Sequence, residues 1–279
     1  MRKKLFNADY EASTKLVTRK RLKLKEESFK YMKFSQRIYL PFLVSFFMVP
    51  GFYIIGTQMP LGISDKVNYF SDVMAKYGTI FSDVIKLVLL IWIVMSILFL
   101  IPHKNYGSYV IFAYFVFLPM IISFDFILFD FSFGASVAGV GLVGSMILIV
   151  GGLIYVSIAT YNIVRSMKSL MYREEKKTIS MKWYLRITFF AVILTVIGSL
   201  VSPPKEFNLL LYVSAFVVLV AFAGIAFLTR IMLRMFVMFY YFSKYGEQYK
   251  EKFKITDEQW YGPRKAKRLA KKKGKRSNA

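Results

Sequence analysis

The chain has no cysteine and a single histidine, His103. Disulfides, thiolate nucleophiles, thiolate-bound zinc and iron–sulfur clusters are excluded by the first absence. A histidine-rich metal site is excluded by the second. No Walker A loop occurs, so the chain is not an ATP-hydrolysing subunit. No set of nucleophile, base and orienting group can be picked out, so no enzyme activity and no cofactor are expected. Acids are scarce as well, 16 Asp and Glu against 39 Lys and Arg, which leaves a net charge of +23 over 279 residues.

Apolar residues are abundant, 56% of the chain with 18% aromatic, where a soluble domain holds about 45–50%. They are also clustered, in blocks near the ~20 residues that a helix needs to cross a bilayer. The blocks predict an all-α polytopic membrane protein with six transmembrane helices, at about 39–57, 84–101, 109–129, 137–158, 183–202 and 207–229. Pro50-Gly51 is expected to kink the first. Pro102 ends the second and Pro203-Pro204 stops the fifth. The first block starts too late for a signal peptide and no A-x-A-like site follows, so it is expected to stay as a membrane helix.

Six spans place both termini on one side. That side receives 33 Lys and Arg, from segment 1–38, the His103-Lys104 turn, the 162–186 loop and the 243–279 tail. The other side receives 4, from segment 58–86, the 131–136 turn and the 203–206 turn. The positive-inside rule then makes both termini cytoplasmic, in a cell membrane. The whole net charge falls on that face, which points to anionic lipid headgroups as partners and not to nucleic acid.

Several residues stand out as candidates. Asp125 and Asp130 lie late in the third span. Acids within a membrane often mark ion or proton pathways. Counted from Tyr109, however, Asp125 lies ~24 Å along a core ~30 Å thick, and Asp130 is interfacial. Five residues turn ~140° about a helix, so the two carboxylates do not share a face. Arg230 and Arg234 are one turn apart after the sixth span, where they contact anionic lipid or a partner, or snorkel to the interface. Arg19, Lys20 and Arg21 form the densest basic run of the N-terminal segment.

Segment 58–83 spaces Val67, Phe70, Val73, Met74, Tyr77 and Phe81 as one helical face. It reads as an amphipathic helix on the outer leaflet or as a partner-binding helix. Gly139-Val140-Gly141-Leu142-Val143-Gly144 matches G-x-G-x-x-G but lacks the preceding strand, so it is read as close helix packing. Gly134, Ala138, Gly141 and Ser145 extend that small-residue stripe. In the basic tail, Thr256 and Gln259 form a capping box, Ile255 and Trp260 a hydrophobic staple, and Gly262-Pro263 a stop. With Tyr261, these residues predict an ordered turn docked on the protein itself or on a partner. Residues 264–276 carry nine basic residues and no interleaved aromatic, which leaves base stacking without support.

Three functions follow as expectations. One is a non-enzymatic protein of a bacterial cytoplasmic membrane, an accessory subunit of a secretion or export system or a toxin-immunity protein, with a protein partner or a second copy of itself. The Lys, Ile, Phe and Tyr richness fits an AT-rich bacterial genome. Another is a transporter or permease subunit with Asp125, Asn162 and the Pro50-Gly51 break in its pathway. The third, an insertase-like helper near the ribosome, lacks a charged groove residue in the first five spans.

Overall fold

A computed structural model describes residues 4–22, 34–63, 69–101, 104–173, 178–206 and 208–277. Secondary structure among them is wholly helical. Four helices are long and apolar enough to cross a membrane, and five when a bent pair is joined as one. Two short helices, α1 (Tyr10–Thr14) and α2 (Arg19–Leu22), precede them.

The first long helix, α3, covers 34–63, with its apolar stretch at Arg37–Gly62. Pro50-Gly51 lies within it, between two π-helical turns, Val44–Met48 and Ile54–Gln58, that widen it. Each contains the residue four before a proline, Phe46 before Pro50 and Gly56 before Pro60. A proline ring collides with that residue's carbonyl and leaves it without a donor, and a wide turn relieves both problems.

Next come α4 (Tyr69–Tyr77) and α5 (Ser82–Leu98), bent by 51°. Residues 64–68, including Val67 of the expected amphipathic face, lie outside the described residues. The remainder of that face is buried or half-buried against the protein itself. Ser71, Val73 and Met74 are buried, and Val73 packs with Phe133, Val137 and Ala138. The α4 part of segment 58–83 thus packs against the helix that follows α5 in the chain.

Helical hydrogen bonding then runs over Tyr106–Tyr172, but Gly141 breaks it with φ 73° and ψ 175°. The two arms are α6 (106–140) and α7 (142–172). They fold back on each other, because the Ser136 and Ser145 hydroxyls bond at 3.0 Å. In a straight helix nine residues would part them by ~13 Å. The expected turn at 131–136 is thus displaced to Gly141. Gly134 and Ala138 lie on one arm and Ser145 on the other, so they form no single stripe. The G-x-G-x-x-G match is indeed a packing feature: a Cβ on Gly139 would sit 2.0 Å from the Leu211 carbonyl.

Helix α8 (Met181–Val201) runs antiparallel to α7. A Cβ on Gly151 would meet Ala191 at 2.8 Å, and Thr195 lies 3.5 Å from the Gly144 carbonyl. The last long helix joins α9 (Leu209–Ser214) to α10 (Val217–Lys244). It continues past Thr229 through Arg230, Arg234 and the aromatic run. Three short helices close the chain: α11 (Gly246–Lys252), α12 (Asp257–Tyr261) and α13 (Pro263–Ser277).

Large apolar side chains cover much of the outside; Leu200 is 78% and Leu210 76% exposed. A soluble monomer rarely tolerates a continuous patch of this kind. Lipid tails are as apolar as leucine, so in a bilayer the same surface carries no penalty. The largest buried cluster lies at the opposite end from Gly141, where α6 starts, α7 and α10 end, and residues 5–22 gather with residues 249–260.

Candidate functional site

This terminal end is a folded platform built on tyrosines. Tyr241, Tyr245 and Tyr249 recur every four residues, so their phenols line one face across the α10–α11 junction. Each grips the N-terminal segment. The Tyr241 hydroxyl accepts from the Ala8 amide at 3.0 Å and donates to the Leu5 carbonyl at 2.6 Å. Tyr245 donates to the Ala8 carbonyl at 2.7 Å, and the Tyr249 and Ser13 hydroxyls share a bond of 2.6 Å. Burial pushes the Tyr249 phenol above its ordinary pKa, which keeps it protonated through the physiological range. Lys15 adds an ammonium to the Met171 carbonyl at 2.9 Å, in the last turn of α7 where carbonyls lack helical partners and favour cations.

The C-terminal turn completes the platform. Thr256 and Gln259 form the reciprocal capping box, at 3.2 and 3.0 Å. Ile255 and Trp260 are buried in the same cluster as Tyr106 and Phe242. The Trp260 ring meets Phe242 edge-on at 5.6 Å, and Gly107 and Gly246 leave room for it. Its indole N–H donates to Glu247 at 3.2 Å, and the Tyr261 hydroxyl donates to the same carboxylate oxygen at 2.7 Å. Lys250 and Lys265 lie over the Tyr261 ring at 4.8 and 4.7 Å. Lys250 also pairs with Asp257. The turn is therefore docked on its own chain, and the Trp260 side chain offers no surface to a partner.

The basic residues separate into two groups. Arg19 donates to the Phe253 carbonyl and joins the clamp. Arg21 donates to the Lys15 carbonyl at 2.8 Å. Arg230 and Arg234 lie one turn apart on α10, two positive charges that complement a phosphate or carboxylate. Lys20 stays exposed.

The two aspartates also differ. Asp130 is 1% exposed, and its carboxylate accepts the Phe81 amide at 2.9 Å, satisfying an unpaired donor at the start of α5. The Gly141 break lies eleven residues, ~16 Å, further along the helix. Asp125 has one buried carboxylate oxygen with no hydrogen-bond partner among the described residues. It lies one turn before Leu128, which packs against Gly224 of α10. Asn162 is fully engaged, binding Ile179 N and O and the Tyr184 hydroxyl at 2.8–3.0 Å. Among the described residues, no group of acids and histidine could hold a metal ion.

The tyrosine face was missed in the sequence, although its four-residue spacing was visible. Its partners are more than 230 residues away, and no local pattern names them. No protein family, curated protein or solved structure matches this chain.

The tyrosine face yields a graded expectation. Tyr241→Phe leaves the buried Ala8 amide without an acceptor and should cost about 1–3 kcal/mol. Tyr249→Phe should cost about 0.5–1.5 kcal/mol, because Ser13 keeps the Tyr10 carbonyl as partner at 2.7 Å. Thermal unfolding of the detergent-solubilised variants tests that order, and equal losses would contradict it.

Proposed function

We propose that the chain is a non-enzymatic protein of a bacterial cytoplasmic membrane, either an accessory subunit of a secretion or export system or a toxin-immunity protein. It crosses the bilayer six times, with both termini inside. The spans are α3, the bent pair α4–α5, α6, α7, α8 and α9–α10. The hairpin at Gly141 supports counting α6 and α7 separately. The lysine and arginine distribution supports the orientation.

The observation that carries this reading is the terminal platform. Disordered tails suffice for electrostatic attraction to lipid. Here both tails are instead bound into one aromatic core, and the helix that follows, α13, exposes Lys267, Arg268 and Lys271. A rigid face that displays charge in fixed positions suits a docking partner better than a diffuse lipid surface. Arg230 and Arg234 supply a second contact, to anionic headgroups.

The test is affinity purification of the chain through an internal tag from native membranes in mild detergent, with mass spectrometry of what accompanies it. A stoichiometric partner is expected, lost when Lys267, Arg268 and Lys271 are all replaced by Glu. Recovery of the chain alone would overturn the accessory reading. It would favour the second reading, a transporter subunit, which rests on the unpartnered oxygen of Asp125. Solute or ion flux in liposomes unchanged by Asp125→Asn would then remove that reading too.

A further inference from the structure

Helices α7 and α8 meet closely at Gly151 and Ala191. Larger side chains stand up on either side of this line. Met146, Val150 and Ile154 recur every four residues along α7, and Phe190 rises from α8 opposite them. Between these rims lies a groove of ≈ 910 Å³, with walls that are almost entirely hydrocarbon. One end is different. Trp183 and Arg186, in the first turns of α8, close it on the side of the terminal platform, and the Arg186 guanidinium lies 5.4 Å from the Trp183 ring centre. No carboxylate lines the groove.

We infer that this groove is a binding site for one anionic phospholipid, with its acyl chains along α7 and its phosphate on Arg186. The dimensions agree. The lining from Leu142 to Ile154 spans twelve residues, ~18 Å, slightly more than the ~15 Å of one leaflet's hydrocarbon. The chemistry agrees as well. A guanidinium presents a fork of donors that matches phosphate oxygens, and tryptophan beside it is the residue enriched at headgroup level. Membrane helices associate through small residues that let backbones approach. In this groove the small residues, Gly151 and Ala191, are already used between α7 and α8, and the rims left for an occupant are bulky and irregular. Flexible chains fit such a surface better than a partner helix does. The site rests on the multi-pass reading but not on its orientation, since Arg186 would meet a phosphate in either leaflet.

The test uses the full chain in nanodiscs of phosphatidylglycerol and phosphatidylcholine in equal parts, with native mass spectrometry of the ejected protein. One retained phosphatidylglycerol per chain is expected. Arg186→Ala should lower its occupancy about fivefold, equivalent to roughly 1 kcal/mol for one basic contact. Val150→Trp, at an exposed rim position, should fill the groove and remove the lipid with Arg186 intact. Retention that neither variant changes would overturn the site, as would incorporation without any retained phosphatidylglycerol. A co-purifying protein displaced by Val150→Trp, with lipid retention unchanged, would assign the groove to a helix and overturn it as well. A chain that fails to enter nanodiscs at all would instead overturn the membrane reading.

Discussion

Replacing Trp260 with alanine is expected to release the C-terminal tail from the platform while leaving the membrane bundle folded. The side chain is fully buried, with Phe242 and Tyr106 against its ring and two glycines beneath it. Truncating a buried aromatic costs about 3–5 kcal/mol, because the lost contacts and the remaining cavity both count. The cavity here cannot collapse easily: Gly107 and Gly246 have no side chains to move into it. The cost falls on a local unit. Residues 246–261 touch the rest through this cluster, so they open as a segment at a free energy below that of global unfolding. A loss of about 3 kcal/mol raises the open population on the order of 100-fold. Trypsin cutting at Lys250, Lys252 and Lys254 in detergent reads that population directly. The variant should be cut correspondingly faster, with the melting of the helical bundle little changed. Trp260→Phe, which keeps most of the ring volume, should fall between. Cutting at the wild-type rate would show that Trp260 does not hold the tail.

The same residues show what the sequence could and could not reveal. The capping box at Thr256 and Gln259 is a short-range device, so its pattern and its structure coincide. What Trp260 packs on is not local. Tyr106 and Gly107 are more than 150 residues earlier, and the apolar turn alone fits its own chain or a partner equally well. Helix blocks were legible because hydrocarbon length sets them. The turn between α6 and α7 was not. The sequence around Asp130-Phe131-Ser132 looks like a polar break, yet Asp130 is tolerated inside because the Phe81 amide meets its carboxylate. The real break, at Gly141, sits in an unbroken apolar run where no polarity marks it. The amphipathic face of α4 was visible too, but a protein neighbour and a lipid neighbour demand the same pattern. The packing of Val73 on Phe133, Val137 and Ala138 of α6 involves residues some 60 positions away, which the local pattern does not name.

Gly141 is accordingly the position at which one methyl group should matter most. Its φ of 73° with ψ of 175° lies in a region that only glycine occupies readily, at a cost of about 1–3 kcal/mol for any other residue. A Cβ there would also stand 2.2 Å from the Ser202 carbonyl. That oxygen belongs to backbone leaving α8, so it cannot step aside as a side-chain tip would. Gly141→Ala should therefore destabilise by more than the strain alone, and it should loosen the buried Ser136–Ser145 bond across the hairpin. Two other glycines provide the scale. A Cβ on Gly144 would meet Val140 at 3.1 Å and Thr195 at 3.4 Å, contacts that small shifts relieve. A Cβ on Gly51 would meet nothing within 4 Å, and alanine favours a helix interior over glycine by about 0.5–1 kcal/mol. The expected order of melting temperature in one detergent is Gly51→Ala at or above wild type, Gly144→Ala slightly below, and Gly141→Ala far below. If α6 and α7 were one straight rod, position 141 would behave like position 51. A Gly141→Ala protein that melts with the wild type would therefore refute the hairpin, and with it the case for counting α6 and α7 as two spans.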